Sequence, residues 1–512
     1  MRQVLRPEVR NARAWLGGLS AALLLASCGG GGNPVANADL RSVACGARAN
    51  NTVDKLVECV TLEGVRAHQA ALQAIANDNN GHRASGTSGY DDSVDYAQQV
   101  FEAAGYSVTR QAFQFQTFIA LSPSVLTQTA PGPATAVAHR LMEYSGSGDV
   151  TASVSTLSGP LGCVASDFAG FPAGNIALIS RGTCTFADKA THAANAGAVG
   201  VIVYNNVAGD LNGTLGDTFT LNIGVVAVTQ SIGQQLASTA GLAMRIQTDT
   251  FRGQATAVNL LAESRAGDPN NVVMVGAHLD SVDAGPGIND NGSGVAAILE
   301  TAVQMARVRP NNKLRFALWG AEEASLAGST YYVANLTQAE RLRIALYLNF
   351  DMIGSPNHVF FVYDGDNSDN EGQPAGPAGS AEIEKVFENF YTARGIPFKG
   401  TDLSGRSDYG PFMAQGVNIP VGGLFTGAEG TKTAAEAALF GGTAGAAYDP
   451  CYHQACDTYA NNSNTALDVN ADAVAHATVF FAMNTGPVNA QRGRGNANRA
   501  ALQWPEHPPA ER

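Results

Sequence analysis

Three short apolar runs, each leading into a side chain that can ionise or bind a metal, constrain the fold of this chain most. Val272–Ala277 stops at His278. Leu314–Trp319 is followed by Glu322 and Glu323, and Ile344–Phe350 runs directly into Asp351. Runs of this length, separated by stretches of helical periodicity, predict strands buried on both faces of an α/β sheet. Gly294–Arg307 has that periodicity, with Val295, Ile298, Leu299, Ala302 and Met305 on one face and Asn291 or Ser293 able to cap its start. Open α/β sheets place their sites at the carboxyl ends of strands. His278, Glu322, Glu323 and Asp351 are therefore expected at one edge, with Asp290 in the loop just before the helix.

The segment CYHQAC (Cys451–Cys456) adds His453. A mixed set of imidazoles and carboxylates suits zinc, which takes both donor types and can keep a position open for water. Two such ions sharing one carboxylate can activate a water, which points to hydrolysis rather than binding alone. Taken singly, each residue has an ordinary reading: a turn aspartate, a packed histidine, a solvated Glu-Glu pair. Their joint position at strand ends makes the case. Adjacent side chains point apart, so if Glu323 is a ligand then Glu322 is free to move a proton.

The motifs that carry these residues resemble peptidase family M28, the co-catalytic zinc aminopeptidases. They are VVMVGAHLDSVDAGPGINDNGSG (Val272–Gly294), WGAEE (Trp319–Glu323) and NFDMIG (Asn349–Gly354). GRSDYGPF (Gly405–Phe412), GGLFTGAEGTKT (Gly422–Thr433) and DPCYHQACDT (Asp449–Thr458) bring the likeness nearest to secreted bacterial leucine-type enzymes. The resemblance covers most of Cys59–Thr135 and Ala255–Thr485. It implies a three-layer α/β/α domain with a mixed central sheet and two zinc ions per chain. His278 and Asp351 would hold one ion, Glu323 and His453 the other, and Asp290 would bridge them. Glu322 would be the general base and acid, and Asp280 would orient the His278 imidazole. Tyr452 would donate its hydroxyl to the oxyanion. The substrate's free amine would sit near Glu322 and Asp351, with the main chain at Arg406 lining that position. Large apolar, leucine-like N-terminal residues are the implied substrates. Asp468 and Asp472, at helical i, i+4 spacing, match positions that hold structural calcium in some relatives.

Between Ala136 and Thr248 the chain changes character. Ile176–Ser180 and Val199–Tyr204 read as strands around an Ala-rich helix, Phe186–Ala196, and Asn175–Asn206 resembles a protease-associated (PA) domain. It holds no metal or nucleophile constellation; His139 and His192 read as incidental. The resemblance implies a small α/β accessory domain inserted in the peptidase domain, acting as a lid or partner surface. The expected organisation is a leader (1–28), a tether and extension (29–58), peptidase domain (59–135), PA insert (136–248), peptidase domain with the zinc site (249–487) and a disordered tail (488–512). Val65–Ile75 and Asp91–Ala104 read as amphipathic helices, and His82 and Arg83 as part of a structural loop without catalytic role.

The start of the chain reads as a targeting segment. Arg2, Arg6, Arg10 and Arg13 precede Leu16–Ala26, an apolar stretch too short to span a bilayer. LASC (Leu25–Cys28) resembles a bacterial lipobox, so Cys28 is the expected lipidation site and the membrane is met through a lipid anchor only. Simple secretion, with cleavage at Ala36–Ala38, is the alternative. Export suits the cysteines: without Cys28, six remain, and their proximity suggests Cys45–Cys59, Cys163–Cys184 and Cys451–Cys456. A net charge of -13 with no basic stripe argues against nucleic acid as a partner. Three further readings stand beside an aminopeptidase: an M28-type carboxypeptidase, a one-zinc glutaminyl cyclase-like acyltransferase and a non-catalytic receptor-like binder.

Overall fold

The computed structural model describes residues 43–493 apart from 160, 210, 212 and 371–374. Cys28, the leader and most of the expected tail lie outside the described residues. The strands in chain order are β1 (Ser107–Ala130), β2 (Thr135–Ala136), β3 (Arg140–Leu141), β4 (Gly148–Thr156), β5 (Ile176–Ser180), β6 (Gly200–Tyr204) and β7 (Gly224–Val228). β8 (Ala243–Glu263), β9 (Asp268–His278), β10 (Asn312–Trp319), β11 (Ile344–Phe350), β12 (Phe361–Tyr363), β13 (Lys399–Thr401) and β14 (Val421–Phe425) follow. The three apolar runs of the sequence are β9, β10 and β11, side by side at the centre of a mixed sheet ordered β13-β12-β14-β11-β9-β10-β8. β9 pairs parallel with both β10 and β11, and β11 parallel with β14; β8 and β12 pair antiparallel with their neighbours β10 and β14.

Side chains on these strands alternate between two apolar layers, as a period of two requires. Val273, Val275 and Ala277 of β9 join the layer formed with helices Leu62–Asp78, Ser88–Ala103, Gly292–Gln304, Ser380–Ala393 and Asn464–Met483. Val272 and Met274 face the opposite layer, with Tyr332 and Val333 of helix Ala327–Ala334 and Phe412 of Gly410–Met413. The helix expected over Gly294–Arg307 spans Gly292–Gln304, and its residues Gly292–Ala302 are all buried rather than one stripe alone. Neighbouring helices and the sheet enclose it, and a helix apolar nearly all round belongs in such a position.

The inserted region is a second, smaller α/β unit. β4, β5, β6 and β7 run parallel, β3 closes one edge antiparallel, and helices Phe186–Asn195 and Gln230–Ser238 pack on its two apolar layers. The link between the two units is a long antiparallel ribbon of β1 and β8, paired from Ser107↔Glu263 to Ala130↔Ala243. β8 pairs with β10 through Leu260–Glu263 and with β4 through Ala243–Thr248. The borders expected near 136 and 248 therefore fall on or beside this continuous ribbon, whose polar-rich sequence gave no strand signal.

One expectation about the end of the chain is corrected. Order does not stop at residue 487: Gly486–Gln491 is a helical turn with Val488 fully buried. Asn489 Nδ2 donates to Asn271 Oδ1 at 3.1 Å, and Arg492 Nη1 donates to the Ile344 and Ala345 carbonyls at 2.6 and 2.8 Å. One apolar anchor and three bonds hold a segment whose composition reads as disordered.

His476, on helix Asn464–Met483, is packed against Phe390 and Phe480, and neither ring nitrogen has a hydrogen-bond partner among the described residues. Burial, with help from Arg394, lowers its pKa to about 4. Between about pH 4 and 6.5 the unfolded chain takes up a proton here that the folded chain refuses, so stability falls as pH drops through that window. His476→Leu removes both costs. It should raise the thermal midpoint at pH 7, and the gain should widen on acidification by up to about 1.4 kcal/mol per pH unit. Thermal melts of both proteins at pH 7, 6 and 5 check this; a gain independent of pH would contradict it.

Candidate metal centre

Strand ends and loops deliver six polar side chains to one place. His278 ends β9, Glu322 and Glu323 follow β10, Asp351 follows β11, Asp290 precedes the central helix, and His453 lies in a turn. His278 Nε2 is 3.1 Å from Asp290 Oδ1 and 3.3 Å from Asp351 Oδ1. His453 Nε2 is 3.3 Å from Asp290 Oδ2 and 3.0 Å from Glu323 Oε2. Asp290 thus turns one oxygen toward each imidazole. Glu322 Oε2 stands further off, 3.9 Å from His278 Nε2.

These spacings fit zinc. With metal–donor distances of about 2.0–2.1 Å, the corners of a tetrahedron are about 3.3 Å apart. Two imidazole–carboxylate pairs of about that spacing are joined at Asp290, and among the described residues His278, Asp290 and Glu323, and His278, Glu322 and Asp351, each bring three donor atoms within 4.8 Å of one another. Glu323 Oε1 and Asp351 Oδ1 are also buried with no hydrogen-bond partner among the described residues, a costly state unless a cation meets them.

The electrostatics point the same way. Burial, reinforced by neighbouring carboxylates, holds Glu322 well above the usual range and pushes Glu323 up to about 7 and Asp408 up to about 8. Burial alone would lower His278 and His453, yet the carboxylates facing them raise both well above the ordinary imidazole value. Asp290 goes the other way, because bonds from both imidazoles outweigh its burial. The pocket is short of positive charge.

A rigid frame holds the triads. His278 Nδ1 lies 3.2 Å from the Asp280 carbonyl and 3.5 Å from Asp280 Oδ1, which also accepts from the Glu322 amide at 3.2 Å. Ser407 Oγ donates to Asp351 Oδ2 at 2.6 Å. The Asp457 carboxylate accepts the amides of Asn289 and Asp290, both at 2.9 Å. Asn291 caps the central helix by accepting from the Gly294 amide at 3.0 Å, and its Nδ2 donates to the Phe350 carbonyl at 3.0 Å. Position 294 tolerates only glycine, since a Cβ there would stand 2.3 Å from that carbonyl. Ala321, Met352 and His453 adopt φ of 53°, 51° and 56°, a region non-glycine residues seldom occupy; Ala321 precedes Glu322, Met352 follows Asp351, and His453 is itself a ligand candidate.

Cys451 and Cys456 are bonded around Tyr452 and His453; Cys45–Cys59 and Cys163–Cys184 are bonded as well. The Tyr452 ring stacks on His453 with centroids 3.9 Å apart. Arg406 is largely exposed, pairs with Glu429 at 3.0 Å, and has its charge favoured by Tyr452 and Glu429. Two hollows meet at the donors. A hollow of about 140 Å³ is lined by Glu322, Asp351, Arg406, Tyr452 and the apolar faces of Met352, Tyr363 and Phe425. A second cleft, of about 360 Å³, is lined by Asp280, Glu323, Phe115, Phe118, Glu143 and Asp283, among others.

Asp468 and Asp472 sit one turn apart on helix Asn464–Met483, and among the described residues they belong to no group of three clustered metal donors. Sequence reasoning gave no separate role to Ser407, Asp408 or Asp457, which lie inside the quoted motifs and are recognisable only once folded. Glu143 was missed altogether, because its own segment carries no motif.

Known proteins resemble this chain over both of its α/β units. Residues 259–478 match the model described as Peptidase family M28, and residues 147–236 match the PA domain. An aminopeptidase of Pseudomonas aeruginosa is 47% identical over 450 residues, covering 85% of this chain and 83% of that protein. The chain belongs to peptidase family M28. As a member it is a hydrolase of peptide bonds, built as an α/β peptidase domain with an inserted PA domain. A protein of Mycobacterium tuberculosis named probable lipoprotein aminopeptidase LpqL is 42% identical, covering 89% of this chain and 92% of that one. Among solved structures, the aminopeptidase from Aneurinibacillus sp. strain AM-1 superposes with a TM-score of 0.65 at 28% identity, over 82% of this chain and 94% of the other.

Arg83 is fully buried beneath the site. Its guanidinium donates to the carbonyls of Leu279, Pro286 (2.9 Å) and Gly287 (2.7 Å), tying down the loop between His278 and Asp290. Arg83→Met leaves three carbonyls unmet and removes the charge that faces Asp280, Asp457 and Asp290. It should cost about 3–5 kcal/mol in denaturant unfolding. A loss below about 1 kcal/mol would show that the loop holds itself.

Proposed function

We propose that this M28 peptidase is an aminopeptidase that works with two zinc ions. The observation that carries this reading is Asp290, with one oxygen toward each of two histidine–carboxylate pairs. His278 and Asp351 would hold one ion, His453 and Glu323 the other, with Asp290 shared. When bound, the ions supply Lewis acidity to a water and to the scissile carbonyl. Glu322 lies beside the donors, 3.9 Å from His278 and farther than Asp290 or Asp351, and in this reading it accepts the water's proton and returns it to the leaving amine. Tyr452 offers its hydroxyl to the oxyanion from its place beside His453. Asp280, Ser407 and Asp457 keep imidazole and carboxylates oriented.

The exposed N-terminus of a peptide suits the smaller hollow. Glu322 and Asp351 attract an ammonium, and Met352, Tyr363 and Phe425 favour a large apolar side chain such as leucine. A carboxypeptidase needs a free cation for the substrate carboxylate, and Arg406 at this hollow is already paired with Glu429. The relative named as a lipoprotein supports lipidation at Cys28 and an exported, membrane-anchored enzyme.

Leucine p-nitroanilide should be cleaved and its N-acetylated form should not, with activity lost to a chelator and restored by zinc. Metal analysis should return two zinc ions per chain. Glu322→Gln should keep both and lose about 10²–10⁴ in kcat. One zinc per chain would break the shared-aspartate argument, and near-normal turnover in Glu322→Gln would remove it as the base.

A further inference from the structure

The larger cleft is the part of the molecule that the mechanism leaves unused. It starts at Glu323 and Asp280 on the peptidase side and reaches Glu143 on the inserted unit, with Phe115 and Phe118 of β1 between them. It is therefore continuous with the reacting centre yet lies outside the hollow assigned to the N-terminal residue. A peptide whose first residue fills the smaller hollow must send the remainder somewhere. The cleft of about 360 Å³ is the only other opening, among the cavities of the described residues given above, that touches the donor set.

Its charge is one-sided. Glu143 and Asp283 both line it and lie close enough to interact; partial burial raises each carboxyl above its ordinary value, and Thr214 bonds the Glu143 carboxylate. No lysine or arginine is among the lining residues; the nearby basic groups are His82, which faces Asp283, and His453. Glu143 is held by its own backbone as well: its amide donates to the Gly213 carbonyl and its carbonyl accepts from Leu215, both at 3.0 Å. The carboxylate is thus presented by a fixed segment of the PA unit.

We propose that this cleft is the subsite for the leaving peptide, and that Glu143 and Asp283 select substrates with a lysine or arginine just after the cleaved residue. The proposal rests on the aminopeptidase reading above. It gives the inserted unit a direct part in specificity, since Glu143 comes from that unit and Asp283 from the peptidase loop. The cation of the substrate closes a gap between the two.

The test compares kcat/KM of the full-length zinc-loaded enzyme on Leu-Lys-Ala, Leu-Glu-Ala and leucine p-nitroanilide. The last presents no charged side chain to the cleft and serves as the reference for aminopeptidase activity. The wild type should prefer Leu-Lys-Ala over Leu-Glu-Ala on the order of tenfold, the scale of a charge contact in a partly wet cleft. Glu143→Gln with Asp283→Asn should bring that ratio close to one, and Glu143→Lys should invert it. A wild-type ratio near one, or a ratio unmoved by these variants, overturns the subsite. Failure to cleave leucine p-nitroanilide instead overturns the aminopeptidase reading on which it rests.

Discussion

A surplus of buried negative charge governs this molecule. Asp290, Glu322, Glu323, Asp351 and Asp408 crowd around two imidazoles, and Glu323 Oε1 and Asp351 Oδ1 have no hydrogen-bond partner among the described residues. Such an arrangement is unfavourable in isolation and favourable around divalent cations. The surrounding frame makes sense as the means of holding it together. Three parallel strands fix where the side chains emerge, Asn291 locks the helix start to the end of β11, and Asp457 grips the backbone of Asp290.

The frame is rigid where the charges are close. Positive φ at Ala321, Met352 and His453 costs energy, which the buried sheet and the Cys451–Cys456 link must outweigh. Arg83 contributes from below, with a cation that has no route to solvent and three carbonyls to satisfy. The site is thus supported from several sequence-distant segments at once.

Much of the peptidase core could be read from the chain because its signals are local. A seven-residue run, apolar except for Asn349 and followed by aspartate, describes β11 and Asp351 without any knowledge of the neighbours. The helices at Val65–Ile75 and Asp91–Ala104 were legible from periodicity, and the structure extends or shifts them by only a few residues to Leu62–Asp78 and Ser88–Ala103. What escaped depends on tertiary pairing. The β1–β8 ribbon alternates polar and apolar residues irregularly, and each strand is defined only by the other. Asp457 becomes meaningful when its loop reaches the amides of Asn289 and Asp290, and Glu143 when the inserted unit comes over the cleft. Val488 and Asn489 show the same effect: a few contacts order a segment whose composition alone would not.

The β1–β8 ribbon has a consequence for how such a chain can be assembled over evolutionary time. Its strands leave the peptidase sheet and return to it side by side, about 4.8 Å apart. Whatever lies beyond Ala130 and before Ala243 needs only two ends at that spacing. The ribbon is a socket, and the catalytic sheet below it keeps its register whether the socket holds a short turn or an entire folded module.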